Sequence, residues 1–92
     1  MIRSFADEDS EQVFHRRHSR RCAAIERVAF RKLRQIHSVS TLEELGEPPG
    51  NRLKKMKGDR DGLWDLRITD QWRIGFEWRD RGAYDVQITG YH

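Results

Sequence analysis

The sequence has one cysteine, Cys22, so an internal disulfide is impossible and a reducing compartment fits. No apolar stretch approaches the roughly 20 residues that a membrane-spanning helix needs. The opening Met1-Ile2-Arg3-Ser4-Phe5 lacks the apolar run of a secretory signal. A cytoplasmic protein is therefore expected. The two prolines are adjacent, Pro48-Pro49, so they mark one break in the chain. There is no internal repeat, no low-complexity tract, no Gly-rich phosphate loop and no Ser-His-Asp arrangement. His15, His18 and His37 come with no cysteine pair and no fourth ligand, so a zinc site is not expected and no cofactor is implied.

What is present is polar but not disordered. Apolar residues make up 36% and charged residues another 36%, yet there are nine aromatics, three of them Trp. Ninety-two residues allow one domain, residues 1–92, with a thin core between two layers. The formal charge is only +3, so where the cations lie matters more than their excess. Fourteen of the 18 are Arg, whose planar donor fork suits phosphates and bases. Nucleic acid is the partner this bias favours.

Along the chain, residues 1–6 read as a short strand with Ile2 and Phe5 inward. Asp9 or Ser10 can cap a short helix over residues 11–17. The clearest helix spans residues 20–38, where Cys22, Ile25, Ala29, Leu33 and Ile36 form one stripe opposite Arg27, Arg31 and Arg34. Thr41 and Glu44 make a capping pattern for a helical turn, which the loop of residues 46–50 ends. Three segments then alternate with period two. In them Trp64, Leu66, Ile68, Trp72, Ile74, Phe76, Trp78, Tyr84, Val86 and Ile88 form an apolar face. Turns at Asp70-Gln71 and Asp80-Arg81-Gly82 make an antiparallel meander whose apolar side covers the helix stripe. Cys22 is then a small core residue.

The polar sheet face is the place to look for chemistry. With a turn near Asp70, Arg67 stands opposite Arg73, an arrangement of like charges that needs an anion beside it. Glu77 and Asp85 are candidate partners for Arg73. Just upstream, residues 52–60 hold five cations and one acid. Tyr91 shares the parity of Arg73, and His92 follows. A basic loop, a sheet Arg and a Tyr-His pair could converge on one phosphate. The Arg16, Arg17, Arg20, Arg21 cluster reads as a solvated face, or as a contact for RNA or an acidic partner.

At Lys57-Gly58-Asp59-Arg60-Asp61-Gly62-Leu63-Trp64 the sequence resembles HigB-type toxins of the RelE/ParE superfamily, and the likeness continues through Trp72-Arg73-Ile74 and Phe76 to Tyr91-His92. The resemblance implies an α+β, RelE-like fold: two or three N-terminal helices on one face of a small, curved, mainly antiparallel sheet. It implies a toxin of a type II toxin–antitoxin system, a ribosome-dependent messenger-RNA endoribonuclease acting without metal. Its partners would be the ribosome, the messenger RNA and a HigA-like helix-turn-helix antitoxin, with no membrane. By position, Lys57, Arg73, Tyr91 and His92 match the family's active-site pattern. Two positions depart. Lys54 stands where such toxins commonly carry His, and Gly90 stands where they carry an acid before Tyr-His.

On this resemblance Arg73 is the bidentate phosphate clamp and Lys57 a second cation on the same charge. His92 is the acid or base, and Tyr91 orients the scissile nucleotide. Lys54 supplies charge, and transfers protons only where neighbouring cations favour its neutral form. Arg52, Lys55, Arg60 and Arg67 are expected to contact the RNA backbone. Two alternatives differ in kind: a ParE-like poison of DNA gyrase without nuclease activity, and an RNA-binding module without catalysis.

Overall fold

The computed structural model describes residues 1–56 and 62–90. Helix α1 spans Glu8–Phe14, α2 Glu26–Ser38 and α3 Leu42–Gly46, followed by a 3₁₀ turn at Pro49–Asn51. Strand β1 is Lys54–Lys55, β2 Leu63–Arg67, β3 Trp72–Arg79 and β4 Gly82–Gly90. The four strands form an antiparallel sheet in chain order. The expected α+β architecture holds, with one strand more than the periodicity revealed: two lysines are too few to show alternation, but they pair with β2 across Asp65 and Trp64.

The helices start elsewhere than expected. Asp7, not Asp9 or Ser10, caps α1, its carboxylate accepting from the Ser10 N–H at 2.8 Å. The turn leaves α1 at Phe14, and Arg16 takes a left-handed conformation, φ 59°. Helix α2 begins at Glu26 rather than residue 20, because residues 20–25 form turns that still deliver Cys22 and Ile25 to the core. Thr41 sits at the N-cap of α3 but its side chain makes no capping hydrogen bond.

One core joins the layers. Val13 of α1 and Ala29, Leu33 and Ile36 of α2 share a buried cluster with Leu66, Ile74, Phe76, Val86 and Ile88 of the sheet. Trp64, Trp72 and Trp78 pack on its margin, as the aromatic stripe predicted. Cys22 is fully buried, and desolvation pushes its thiol pKa up. Tyr84 departs from the pattern. Asp85 adopts φ 53° and the β3–β4 register shifts there, so Asp85 and Val86 together oppose Phe76. This bulge moves Tyr84 to the polar face, opposite Glu77, where the Arg79 guanidinium stacks 3.6 Å from its ring.

Residues 1–5 close the far edge of the sheet. Ile2 and Phe5 form parallel bridges with Ala83 and Val86, joined by the Arg3 N–H donating to the Ala83 carbonyl at 2.7 Å. The His37 Nδ1 on α2 accepts from the Ile2 N–H at 3.1 Å, which ties this segment to the helical layer.

Candidate functional site

The register builds the polar face row by row. Arg67 pairs with Arg73, and Arg73 with Thr89, so the two guanidiniums do stand opposite each other. In the next row Lys54 pairs with Asp65, Asp65 with Gly75 and Gly75 with Gln87. Strand parity puts Lys54 on this face and turns Lys55 to the other. Arg52 is exposed, in a left-handed conformation at the end of the 3₁₀ turn.

Both arginines have carboxylate partners. Arg73 Nη1 donates to Asp65 Oδ1 at 3.1 Å, and Arg67 pairs with Asp70 in the turn that follows its strand. The anion that relieves the like-charge pair is thus partly the protein's own. Arg73 is paired with Asp65, two residues before Arg67, a partner not among the expected Glu77 and Asp85. Glu77 pairs instead with Arg79 at 3.4 Å. Asp65 is the residue that sequence reasoning missed: it reads as a routine outward position of an alternating strand, but it is buried, 8% exposed.

These side chains surround a hollow of about 270 Å³ lined by Asp65, Arg73, Glu77, Asp85, Gln87 and Thr89, with Met56 and Leu63 as an apolar wall. Its floor is bare at Gly75, where an added Cβ would meet nothing within 4 Å. Lys54 stands at the edge of the same row, paired with Asp65. Lys57, Arg60, Tyr91 and His92 lie outside the described residues. The last described residue, Gly90, pairs with Trp72, the neighbour of Arg73. Gly90 is there for steric reasons: a Cβ would lie 3.2 Å from the Trp72 ring, tighter than a relaxed contact. The expected acid cannot occupy this position without moving Trp72.

One buried cation supports the site from beneath. Lys32 of α2 is 6% exposed, and its Nζ donates to the carbonyls of Arg67, at 2.5 Å, and Gly50, at 3.2 Å. Burial, with Arg31 and Arg67 nearby, lowers its pKa. Lys32 thereby pins the end of β2 to the segment that leads into Arg52 and Lys54. Arg21, though exposed, also ties elements together. It donates to the Ile88 carbonyl at 3.0 Å and pairs with Asp9 at 3.1 Å, joining the start of α1 to β4. Hydrogen bonds from Ser19 and Arg21 hold the Asp9 carboxyl below its ordinary pKa. Among the described residues no group of three or more His, Cys, Asp or Glu could hold a metal ion, and no helix is long and apolar enough to cross a membrane.

Solved structures share this architecture. A mutant of YafQ from Escherichia coli aligns with a TM-score of 0.53 at 12% identity, covering 98% of this chain and 93% of that one. The YoeB–YefM complex from Staphylococcus aureus aligns at 0.55 and 11%, covering 100% and 98%. At such identities the likeness is one of fold. Sequence relatives are nearer. The chain is 33% identical over 90 residues to the toxin HigB-1 of Vibrio cholerae, covering 96% of this chain and 95% of that protein. It is 32% identical over 60 residues to the endoribonuclease HigB of Proteus vulgaris, covering 63% and 65%. A family profile described as the RelE-like toxin HigB of type II toxin–antitoxin systems matches residues 3–92. With the match spanning nearly every residue, and the expected helix-on-sheet fold in place, the chain belongs to the HigB-like family of RelE-like toxins.

Proposed function

We propose that this toxin is a ribosome-dependent endoribonuclease that cuts messenger RNA by internal attack of a ribose 2′-hydroxyl, and that a HigA-like helix-turn-helix antitoxin neutralises it. The observation that carries this reading is the placing of Arg73. Its guanidinium lines a hollow of suitable size, one row from Lys54, on the strand whose first residue pairs with Gly90. The endoribonuclease named among the relatives supports the reaction class.

In this reaction the 2′-oxygen bonds to phosphorus as the bond to the 5′-oxygen breaks. A 2′,3′-cyclic phosphate and a 5′-hydroxyl result. Negative charge builds on the phosphoryl oxygens between these events, and fixed cations stabilise it. Arg73 does so with its fixed charge, and Asp65 holds the guanidinium at the hollow. Lys54 and Lys57 add positive charge. His92 carries an imidazole, a group suited to move the proton at the 2′-hydroxyl or the 5′-oxygen. Tyr91 orients the nucleotide. Arg52, Arg60 and Arg67 contact backbone phosphates, while Lys55, on the other face, is left out of this contact. In-line geometry of the RNA is left to the ribosome, so the isolated protein is a poor nuclease.

The test is induction in bacteria with RNA ends mapped across translated messages. Cuts should appear within translated regions and vanish when initiation is blocked. Arg73→Ala should reduce cutting by about a hundredfold or more, the scale of losing a charge-stabilising donor. A folded Arg73→Ala protein that cuts normally would remove the clamp. DNA damage signalling with intact messages would point to the gyrase alternative.

A further inference from the structure

A second hollow, of about 440 Å³, is not on the polar sheet face. It lies between the end of α1 and the first two turns of α2, and is lined by Val13, Arg16, Arg17, Glu26, Arg27 and Phe30, with His18 at its edge. It shares no residue with the hollow around Arg73. The helices cover the apolar face of the sheet, so the two hollows open on opposite layers.

Its chemistry is mixed in a specific way. Val13 is buried at the floor, and Phe30 is a half-buried wall. The Arg16 guanidinium lies 4.3 Å from the Phe30 ring centre, held there from a left-handed backbone. Arg17 and Arg27 are exposed on the rim. Glu26 adds one buried oxygen, Oε2, with no hydrogen-bond partner and only a distant ion pair to His18 at 3.9 Å. Three guanidiniums around an apolar floor call for carboxylates flanking an apolar side chain. The buried Glu26 oxygen calls for an N–H donor, which a peptide backbone offers. A phosphodiester would bring anionic oxygens toward that carboxylate and leave the floor unused, so RNA is the poorer match.

We propose that this groove docks an acidic segment of the toxin's protein antitoxin, seating one apolar side chain over Val13 and Phe30 with flanking carboxylates on Arg17 and Arg27. The assignment rests on the family's toxin–antitoxin pairing, not on the nuclease reading. It gives a role to the Arg16-Arg17 part of the basic cluster, while Arg21 serves the fold.

The full-length toxin and its cognate antitoxin, each purified, serve as probe and partner in a binding titration at two salt concentrations. The Arg17→Glu, Arg27→Glu double variant, at exposed positions, should keep the wild-type Tm. It should lose at least tenfold in antitoxin affinity and show a weaker salt dependence. In cells it should still cut messages while escaping neutralisation. Phe30→Ala should also weaken binding, with less change in the salt dependence. A folded double variant that binds the antitoxin within twofold of wild type overturns the proposal. So does one that loses message cutting while keeping antitoxin affinity, which would make the groove an RNA surface. Binding is read without RNA, so a toxin that cuts nothing leaves this result interpretable.

Discussion

Arg73 and Asp65 form the ion pair on which the candidate cleft is built: Nη1 to Oδ1 at 3.1 Å, diagonal across β2 and β3, with the carboxylate nearly covered. The pair sets the guanidinium in place before any substrate arrives. Removing either partner therefore has different costs for stability and for activity.

Asp65→Ala should destabilise the fold by about 2 kcal/mol, since it strips a half-buried guanidinium of a charged hydrogen-bond acceptor. Chemical denaturation checks this. Arg73→Ala should cost a similar amount, and the double variant less than the sum, because the interaction can be lost only once. Message cutting should fall in both single variants, through misplacement in the first and through loss of the cation in the second.

Gly90→Asp restores the acid that the family pattern leads one to expect, but its Cβ meets the Trp72 ring at 3.2 Å. The ring must give way, at a cost of about 1 to 2 kcal/mol of overpacking. The expected signature is a lower Tm together with a shift in Trp emission. A variant with unchanged Tm and unchanged emission would show that the ring yields freely.

His37 makes stability depend on pH. Its Nδ1 accepts a hydrogen bond from Ile2, which requires the neutral ring, and desolvation, Arg34 and the N-terminal ammonium hold its pKa below 6.5. The unfolded chain takes up the proton first as pH falls. Stability from this group is therefore complete above about pH 6.5 and is lost as pH drops through the lower, folded-state pKa. Denaturation midpoints measured from pH 8 to 5 should decline, and His37→Gln should flatten the part of the decline that this residue contributes.

Lys32→Met should loosen the approach to β1 without emptying the core. Methionine fills the volume but leaves the Gly50 and Arg67 carbonyls without their donor, a loss of about 1 to 3 kcal/mol partly offset by removing a buried charge. Hydrogen exchange should quicken in residues 50–56 more than in β3 or β4.

The sheet was legible because alternation is a strong signal over five or more residues, and the Arg67–Arg73 opposition followed from one turn position. Two features escaped for identifiable reasons. A single residue in a left-handed conformation, Asp85, breaks the parity that placed Tyr84 inside, and nothing in the types of residues 84–86 announces it. The burial of Asp65 and Lys32 depends on contacts between residues far apart in sequence, which no local period records. The start of α2 was placed six residues early because Cys22 and Ile25 point to the core from turns as well as they would from a helix. Of the site, Arg67 and Arg73 stand opposite each other as expected, Lys54 joins their face from a strand that the sequence reads as loop, Lys55 alternates away, and Asp65 is the addition.

The bridges from Ile2 to Ala83 and from Phe5 to Val86 tie together residues about eighty positions apart. Closing so long a loop is slow and comes late. During synthesis the first residues have no strand to join until β4 has emerged, so a nascent or truncated chain lacks its outer edge. A premature stop anywhere before β4 should therefore yield a product that neither folds nor harms.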